Sequence, residues 1–246
     1  MQSQLRMPRW TVQARRILRD VDGLLRGRFT QLDALRAGRI EIPVGTLVYA
    51  GLMLGGCYGL FMGVYGAMRS DNPSVGQLVA STVKVPALFL LTLGVTFPSL
   101  YVFSALVRSR LTAEATLRLL LAAIGINLAL LASFGPVTGF FTLSTQSYPF
   151  MVFLNVVFFT VSGIAGLVFL GRALNVVFEP EEPTHSVGLA RIVFRVWIFV
   201  YAVVGAQMAW ILRPFIGTPG KPFTLFRERD SNFFAAVYEA ISQLLS

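Results

Sequence analysis

The chain has 246 residues, of which 55% are hydrophobic and only 13% are charged, and its formal net charge at pH 7 is +9. A mean hydropathy of +0.67, with the charges segregated along the chain, excludes an ordinary soluble domain. Several near-neutral stretches have the length of about 20 residues that an α-helix needs to cross a bilayer. We therefore predict an all-α, polytopic membrane protein.

Arginine supplies almost all of the positive charge, with 19 arginines against two lysines, Lys84 and Lys221. In a soluble protein this charge would indicate nucleic-acid binding. In a membrane protein it is explained by positively charged cytoplasmic loops and by anionic lipid headgroups. We expect the lipid bilayer as a partner and no nucleic acid.

Residues 1–42 form a basic region in which apolar residues recur at helical spacing from Trp10 to Leu35. The candidate lipid-surface residues of this amphipathic helix are Arg15, Arg16, Arg19 and Arg26. Each surface arginine contributes about 1 kcal/mol when such a helix lies on anionic lipid. The same apolar face can instead pack on the protein's own cytoplasmic loops or on a partner, and the sequence leaves both alternatives open.

Five apolar spans follow and define a transmembrane domain over residues 43–212. The predicted spans cover residues 43–66, 85–107, 117–135, 149–171 and 191–212. Segments on one side of these spans hold fifteen arginines and lysines, and segments on the other side hold six. The excess predicts a cytoplasmic N-terminus and a non-cytoplasmic C-terminus. A bacterial inner membrane is preferred to an organelle membrane.

Glycines in the first span stand four residues apart, at Gly51, Gly55, Gly59 and Gly63. At 3.6 residues per turn they form a smooth strip along one face, on which a second helix can pack closely. We predict helix packing at this strip. The small residues Ser162, Gly163 and Gly166 of span four offer a partner within the chain, which is preferred to a second copy of the protein.

Pro98 interrupts the second span and is a candidate hinge or a static kink. Ser99 or Thr96 is available to bond the backbone carbonyl that a proline frees.

Neutral polar residues within the spans allow two interpretations. They include Asn127, Asn155, Gln207, Thr92, Thr96 and Ser99. Interhelical hydrogen bonds, worth about 0.6 kcal/mol on average, are preferred to a lining for water or a small solute.

Residues 213–246 form the non-cytoplasmic tail. Three prolines and two glycines in residues 213–230 exclude a regular helix there, and a short amphipathic helix is predicted after them. A predicted loop over residues 135–150 lies on the same side. Both segments are rich in aromatic residues, which is typical of anchoring at the membrane interface.

Candidate chemistry is sparse. No Asp or Glu lies inside a predicted span, and we expect Lys84 and Arg195, near span ends, to snorkel toward the headgroups. The single histidine, His185, lies in a loop, and the single cysteine, Cys57, lies in the first span. We predict no catalytic residues, no cofactor, no metal and no enzyme.

A short basic turn, RSRLTAEATLRLLL (residues 108–121), follows span two, and the chain enters span one with EIPVGTL (residues 41–47). In its order of elements over residues 43–212, the chain resembles the Yip1 family of five-span membrane proteins. The resemblance implies a cytoplasmic N-terminal region, five closely spaced helices and an outward C-terminus. The aspartate-leucine-tyrosine-glycine-proline signature of eukaryotic members is absent from the sequence, so no GTPase partner is carried over.

These features predict a non-enzymatic membrane scaffold that organises membrane or protein partners through its N-terminal helix. One alternative is an accessory subunit of a larger membrane complex, docking through its outer loop and tail. Another is a small homo-oligomeric pore with the glycine strip as the seam between copies.

Overall fold

The computed structural model describes residues 43–68, 73–106, 112–177, 186–217 and 223–226, together with 19, 22, 23 and 26. Its elements are α1 (Val44–Met68), α2 (Val75–Leu106), α3 (Ala113–Ser133), α4 (Gly135–Ser144), α5 (Tyr148–Val177) and α6 (Ser186–Leu212). These described residues are all-helical apart from turns and extended connections, and five stretches are long and apolar enough to span a membrane. The prediction of a five-span, all-α integral membrane protein is confirmed.

Helix α2 begins at Val75, ten residues before the predicted span. The predicted span begins at residue 85, after several polar residues. Two of these, Gln77 and Ser81, are buried against other parts of the chain. The helix also continues through Pro86 and Pro98. The hydroxyl of Ser99 donates to the Thr96 carbonyl rather than to that of Gly94, the carbonyl that Pro98 leaves without its helical partner.

The prediction of a loop over residues 135–150 is wrong. Helix α4 occupies Gly135–Ser144 and extends the third span, which runs from Ala113 to Ser144 with a turn at Phe134. Pro136 lies in the first turn of α4, where a missing N–H costs nothing because that group has no helical acceptor. The Gly-Pro pair therefore starts a new helix instead of ending the span.

Helix α3 lies at the centre of the bundle. Thr112 caps its first turn by accepting a hydrogen bond from the N–H of Ala115, and six consecutive residues, 119–124, are buried. Burial on all sides of a helix indicates that other helices surround it. Helices α1, α2 and α5 pack around α3, and α6 packs on α2 and α5.

Helices α1 and α2 run antiparallel with their backbones in contact. A Cβ atom placed on Gly59 would lie 2.8 Å from the Cα of Thr82, and one placed on Gly63 would lie 2.7 Å from the Cα of Leu78. At Gly55 the corresponding distance is 3.1 Å to the Cα of Pro86. The glycine strip is thus occupied by a helix of the same chain.

Helix α2 packs on Gly55, Gly59 and Gly63, whereas a Cβ atom at Gly51 would lie 3.5 Å from the Leu128 side chain on α3. The partner of the strip is therefore not the set of small residues in span four that the sequence offered. On α5, a Cβ atom at Gly166 would lie 3.1 Å from the carbonyl oxygen of Ala123 on α3. Ser162 is buried, whereas a Cβ atom at Gly163 would meet no described atom within 4 Å. Periodicity alone could not choose between two helices that both carry small residues.

The first prediction concerns the helix contact at Gly59 and Gly63. We expect Gly59→Ala or Gly63→Ala to destabilise the bundle by about 1–3 kcal/mol, because the added methyl group overlaps the backbone of α2. Thermal unfolding of the purified protein in detergent measures this loss.

Gly94→Ala and Gly163→Ala are the matched controls, since a Cβ atom at either position would meet no described atom within 4 Å. In these variants the helix propensity of alanine should leave stability unchanged or raise it by up to about 1 kcal/mol. Equal stability of all four variants would contradict the backbone contact.

Candidate functional site

A group of three polar side chains on α2 forms the most distinctive site among the described residues. Gln77, Ser81 and Lys84 stand four and three residues apart, which places them on one face of the helix. All three are buried, with Lys84 only 4% exposed. We call these three residues the α2 polar cluster.

The cluster binds the chain that follows α6. The side-chain amide nitrogen of Gln77 donates to the backbone carbonyl oxygen of Phe215 at 2.6 Å, and the Ser81 hydroxyl also donates to this oxygen. The ammonium group of Lys84 donates to the carbonyl oxygens of Pro214, at 2.9 Å, and Leu225. The chain after the last span is thereby folded back onto α2.

Two parts of this returning chain differ in how firmly they are held. Residues 213–217, the anchored segment, include Ile216, which is buried, and Phe215, whose ring lies 6.2 Å from that of Phe159 on α5. Residues 223–226, the covering segment, have exposed side chains. The covering segment contacts the bundle through the Leu225 carbonyl and through the Phe226 ring, whose centroid lies 5.3 Å from the Lys84 nitrogen. The Phe223 ring also packs on α2, since a Cβ atom at Gly76 would lie 3.2 Å from it.

The anchored segment also packs against the C-terminal end of α1, next to the α2 polar cluster. Gly217 has a positive φ of 76°, a backbone conformation that favours glycine. A Cβ atom at Gly66 would lie 3.1 Å from the carbonyl oxygen of Ile216, and the Tyr65 hydroxyl donates to the Gln146 carbonyl at 3.0 Å. The end of α1, the start of α2, the α4–α5 connection and the anchored segment therefore meet at one end of the bundle.

The predicted position of Lys84 at a span end is corrected by the structure. Lys84 lies ten residues into α2, inside the stretch Val75–Ala105 that is apolar enough to span a membrane. Its long side chain reaches the carbonyl oxygens of Pro214 and Leu225, which follow the last span. An ionisable residue buried at membrane depth is costly, which makes it a functional-site candidate.

A second polar contact lies deeper in the bundle. The Tyr58 hydroxyl donates to the side-chain oxygen of Asn155 at 2.6 Å, and the Asn155 amide donates to the Met151 carbonyl at 2.7 Å. Tyr58 is fully buried, and its ring meets that of Phe159 edge-on at 5.6 Å between centroids. This network joins α1 to α5.

Three of the other neutral polar residues, Thr92, Thr96 and Ser99, form hydrogen bonds within the protein. Thr92 and Thr96 donate to carbonyls of their own helix, and the indole N–H of Trp197 donates to Ser99 at 2.9 Å. Gln207 is partly exposed. Asn127 and Ser162 each have a buried side-chain oxygen with no hydrogen-bond partner among the described residues.

The basic N-terminal candidates are described only in part. Arg19 and Arg26 are exposed, and Arg26 pairs with Asp22 at 2.7 Å, a contact that raises the pKa of the Arg26 guanidinium group. Arg15 and Arg16 lie outside the described residues, as do most of the predicted amphipathic helix, His185 and the predicted helix of the tail.

No sequence pattern indicates the α2 polar cluster directly, because Lys84 stands at a predicted span boundary and its partners are backbone carbonyls. The available signal was the spacing of Gln77, Ser81 and Lys84 on one helical face. Using that signal requires extending the second span toward its N-terminus, past two polar residues.

The second prediction concerns Lys84→Met. We expect the bundle to stay folded, because methionine fills a similar volume without a charge, while the covering segment is released. Hydrogen bonds to a charged group contribute about 1.5–3 kcal/mol, so chymotrypsin cleavage after Phe223 or Phe226 should accelerate about tenfold or more.

Val83→Met is the control for this experiment, since Val83 adjoins Lys84 in sequence but is 61% exposed. It should leave the cleavage rate unchanged. Equal cleavage rates in Lys84→Met and the unmodified protein would show that Lys84 does not hold the covering segment.

Comparisons of the chain with models of known protein families, with curated proteins and with solved structures find no match. The resemblance to the Yip1 family therefore stays a prediction, and the chemistry of the site is argued from its own residues.

Proposed function

We propose that the protein is a non-enzymatic membrane scaffold that holds lipid and protein contacts at fixed positions around a rigid five-span bundle. Its N-terminal region lies in the cytoplasm and its C-terminal tail outside, in a bacterial inner membrane in preference to an organelle membrane. This orientation is supported by the excess of arginine and lysine in the segments on the N-terminal side.

The observation that carries the proposal is how the polar groups inside the bundle are used. Tyr58 is bonded to Asn155, Trp197 is bonded to Ser99, and Lys84 is bonded to the Pro214 carbonyl. Each bond joins two separate elements, so these groups stabilise the packing of the bundle. A body fixed in this way is suited to presenting surfaces.

The pore alternative has less support because its proposed seam is occupied. Gly55, Gly59 and Gly63 face the backbone of α2 in the same chain. A second copy could use that strip only by displacing α2. The scaffold therefore accounts for the glycine strip without a further assembly step.

An accessory subunit is the second candidate, and the exposure of α5 and α6 favours it. In the most apolar stretches of these two spans 17% and 11% of the residues are buried, against 44–50% in the first three spans. Phe153 on α5 and Phe199 on α6 are 66% and 69% exposed. In a membrane such faces contact lipid or the helices of a partner.

The third prediction tests the lipid contact that the scaffold requires of residues 1–42. An environment-sensitive fluorophore on Val21→Cys, in a Cys57→Ala background, reports insertion of this region in vesicles with and without anionic lipid. We expect a blue shift that depends on anionic lipid and that falls sharply when Arg15, Arg16, Arg19 and Arg26 are all replaced by glutamine. At about 1 kcal/mol per arginine, the four together contribute about 4 kcal/mol.

Arg172→Gln is the matched control, because Arg172 is exposed at the same predicted side of the membrane but lies outside residues 1–42. It should leave the blue shift intact. An emission wavelength that is the same with and without anionic lipid would show that residues 1–42 pack on protein instead. That result would remove the lipid contact from the proposed scaffold. Recovery of the chain from native membranes in a stable complex of fixed composition would favour the accessory subunit.

A further inference from the structure

The buried charge of Lys84 lacks a counter-ion within the described chain. Its partners there are the carbonyl oxygens of Pro214 and Leu225 and the ring of Phe226. The bonds of a buried ammonium group to neutral carbonyl oxygens leave its charge uncompensated, whereas an anionic oxygen adds the Coulombic attraction of an opposite charge, which is strengthened where water is excluded. Among the described residues, the site therefore carries one unit of positive charge that no carboxylate compensates and that an anion would neutralise.

Gln77 and Ser81 bond to one part of the returning chain, whereas Lys84 bonds to both parts. Both donate to the carbonyl oxygen of Phe215 in the anchored segment, and Lys84 adds a bond to the Pro214 carbonyl of the same segment. Of the three residues, Lys84 is the one that also bonds to the covering segment, through the Leu225 carbonyl. The ammonium group therefore lies between the anchored segment, which is buried, and the covering segment, which is exposed.

The cover is weakly held by apolar contacts. Phe223, Leu225 and Phe226 are 43%, 51% and 52% exposed, whereas Ile216 of the anchored segment is 5% exposed. Moving residues 223–226 away breaks the bond to Lys84, the contact of the Phe226 ring with the ammonium group and the packing of the Phe223 ring on Gly76 of α2. An anion that binds Lys84 can offset the first two of these losses.

The depth of Lys84 favours a phosphate group at the membrane interface. The span Val75–Ala105 has 31 residues and is about 46 Å long, against a hydrocarbon thickness of about 30 Å. If the span is centred, about 8 Å of helix projects at each end, which places Lys84 about 6 Å inside the hydrocarbon edge. A flexible lysine side chain covers that distance, so its nitrogen can meet a lipid phosphate.

We propose that Lys84 is a phosphate-binding site, in which a phosphate oxygen replaces the Leu225 carbonyl and the covering segment moves away. The phosphate belongs to an anionic lipid headgroup or is free in solution, and the chemistry at Lys84 is the same for both. The bond from Lys84 to the Pro214 carbonyl is kept, so the anchored segment stays in place. This site is independent of the scaffold role and of the N-terminal lipid contact.

The experiment follows the covering segment and the bound phosphate together. Spin labels are placed on Leu225→Cys and Val79→Cys in the full chain with Cys57→Ala. Val79 is exposed on α2, and Leu225 bonds to Lys84 through its backbone carbonyl, so a label on its side chain leaves that bond available. The protein is purified in a maltoside detergent, which contains no phosphate, because phosphatidylcholine would supply a headgroup phosphate in every sample. One arm adds inorganic phosphate, with binding measured by radiolabel, and the other adds phosphatidylglycerol to the micelles.

We expect the distance between the labels to lengthen in at least one arm. A response to phosphatidylglycerol alone identifies the lipid as the source, and a response to inorganic phosphate alone identifies the free anion. No lengthening in either arm overturns the proposal.

Lys84→Met should give the long distance from the start and bind the phosphate source about tenfold or more weakly, because it lacks the charged donor. Val83→Met should behave as the unmodified protein. Phe226→Ala keeps the test valid if Lys84→Met fails to fold, and it should bind phosphate more tightly because the cover is weaker. Binding that is unchanged in Lys84→Met, or in Phe226→Ala where that variant stands in for it, overturns the proposal.

Discussion

The close approach of α1 and α2 sets the geometry of this bundle. Where Gly59 and Gly63 lie against Thr82 and Leu78, there is no room for a side chain between the two backbones. Lipid tails are as apolar as leucine, so helix association in a membrane relies on dispersion and close backbone contact instead of the hydrophobic effect. In water these glycines would cost about 1 kcal/mol each relative to alanine. In the bilayer they permit the contact around which the other spans are arranged.

This contact also determines what the polar residues of α2 can reach. With one face of α2 fixed against α1, the face that carries Gln77, Ser81 and Lys84 is presented to the chain that follows α6. Farther along α2, Trp197 of α6 donates to Ser99. Polar bonds therefore attach α6 and the anchored segment to α2, in addition to the buried apolar side chains, among them Trp197 and Ile216, that these segments place in the core. The attachment of α1 to α2 is different in kind, since it depends on close backbone packing.

The five spans and the helical class could be predicted from the sequence, because long uncharged stretches allow no other fold in a bilayer. The glycine strip predicted a packing face but not its partner, since Gly166 on α5 is as small as the residues that a partner requires. The site was missed for a physical reason. The partners of Lys84 are backbone carbonyls, which every residue carries and which leave no pattern in the sequence.

The predicted helix boundaries are wrong where polar residues or proline lie inside a helix or in its first turn. Pro136 lies in the first turn of α4, where proline fits, so a predicted loop is a helix. Gln77 and Ser81 extend α2 because their side chains find acceptors in the anchored segment. In both places the local pattern indicated an end to the span, and tertiary contacts or helix-terminus geometry allowed the helix to form.

Disulfide formation between α1 and α2 tests the central contact most directly. A Cβ atom at Gly56 would lie 3.8 Å from the Cγ2 atom of Thr82. With Cys57→Ala, the pair Gly56→Cys and Thr82→Cys should form a disulfide within one chain on mild oxidation. A γ atom of residue 82, the position that a cysteine sulfur takes, already lies close to a β-carbon at residue 56, and a disulfide joins β-carbons about 3.5–4.5 Å apart. The pair Gly163→Cys and Thr82→Cys should not. Dimers linked through Gly56→Cys, with no bond inside the chain, would contradict the account and place the glycine strip between two copies.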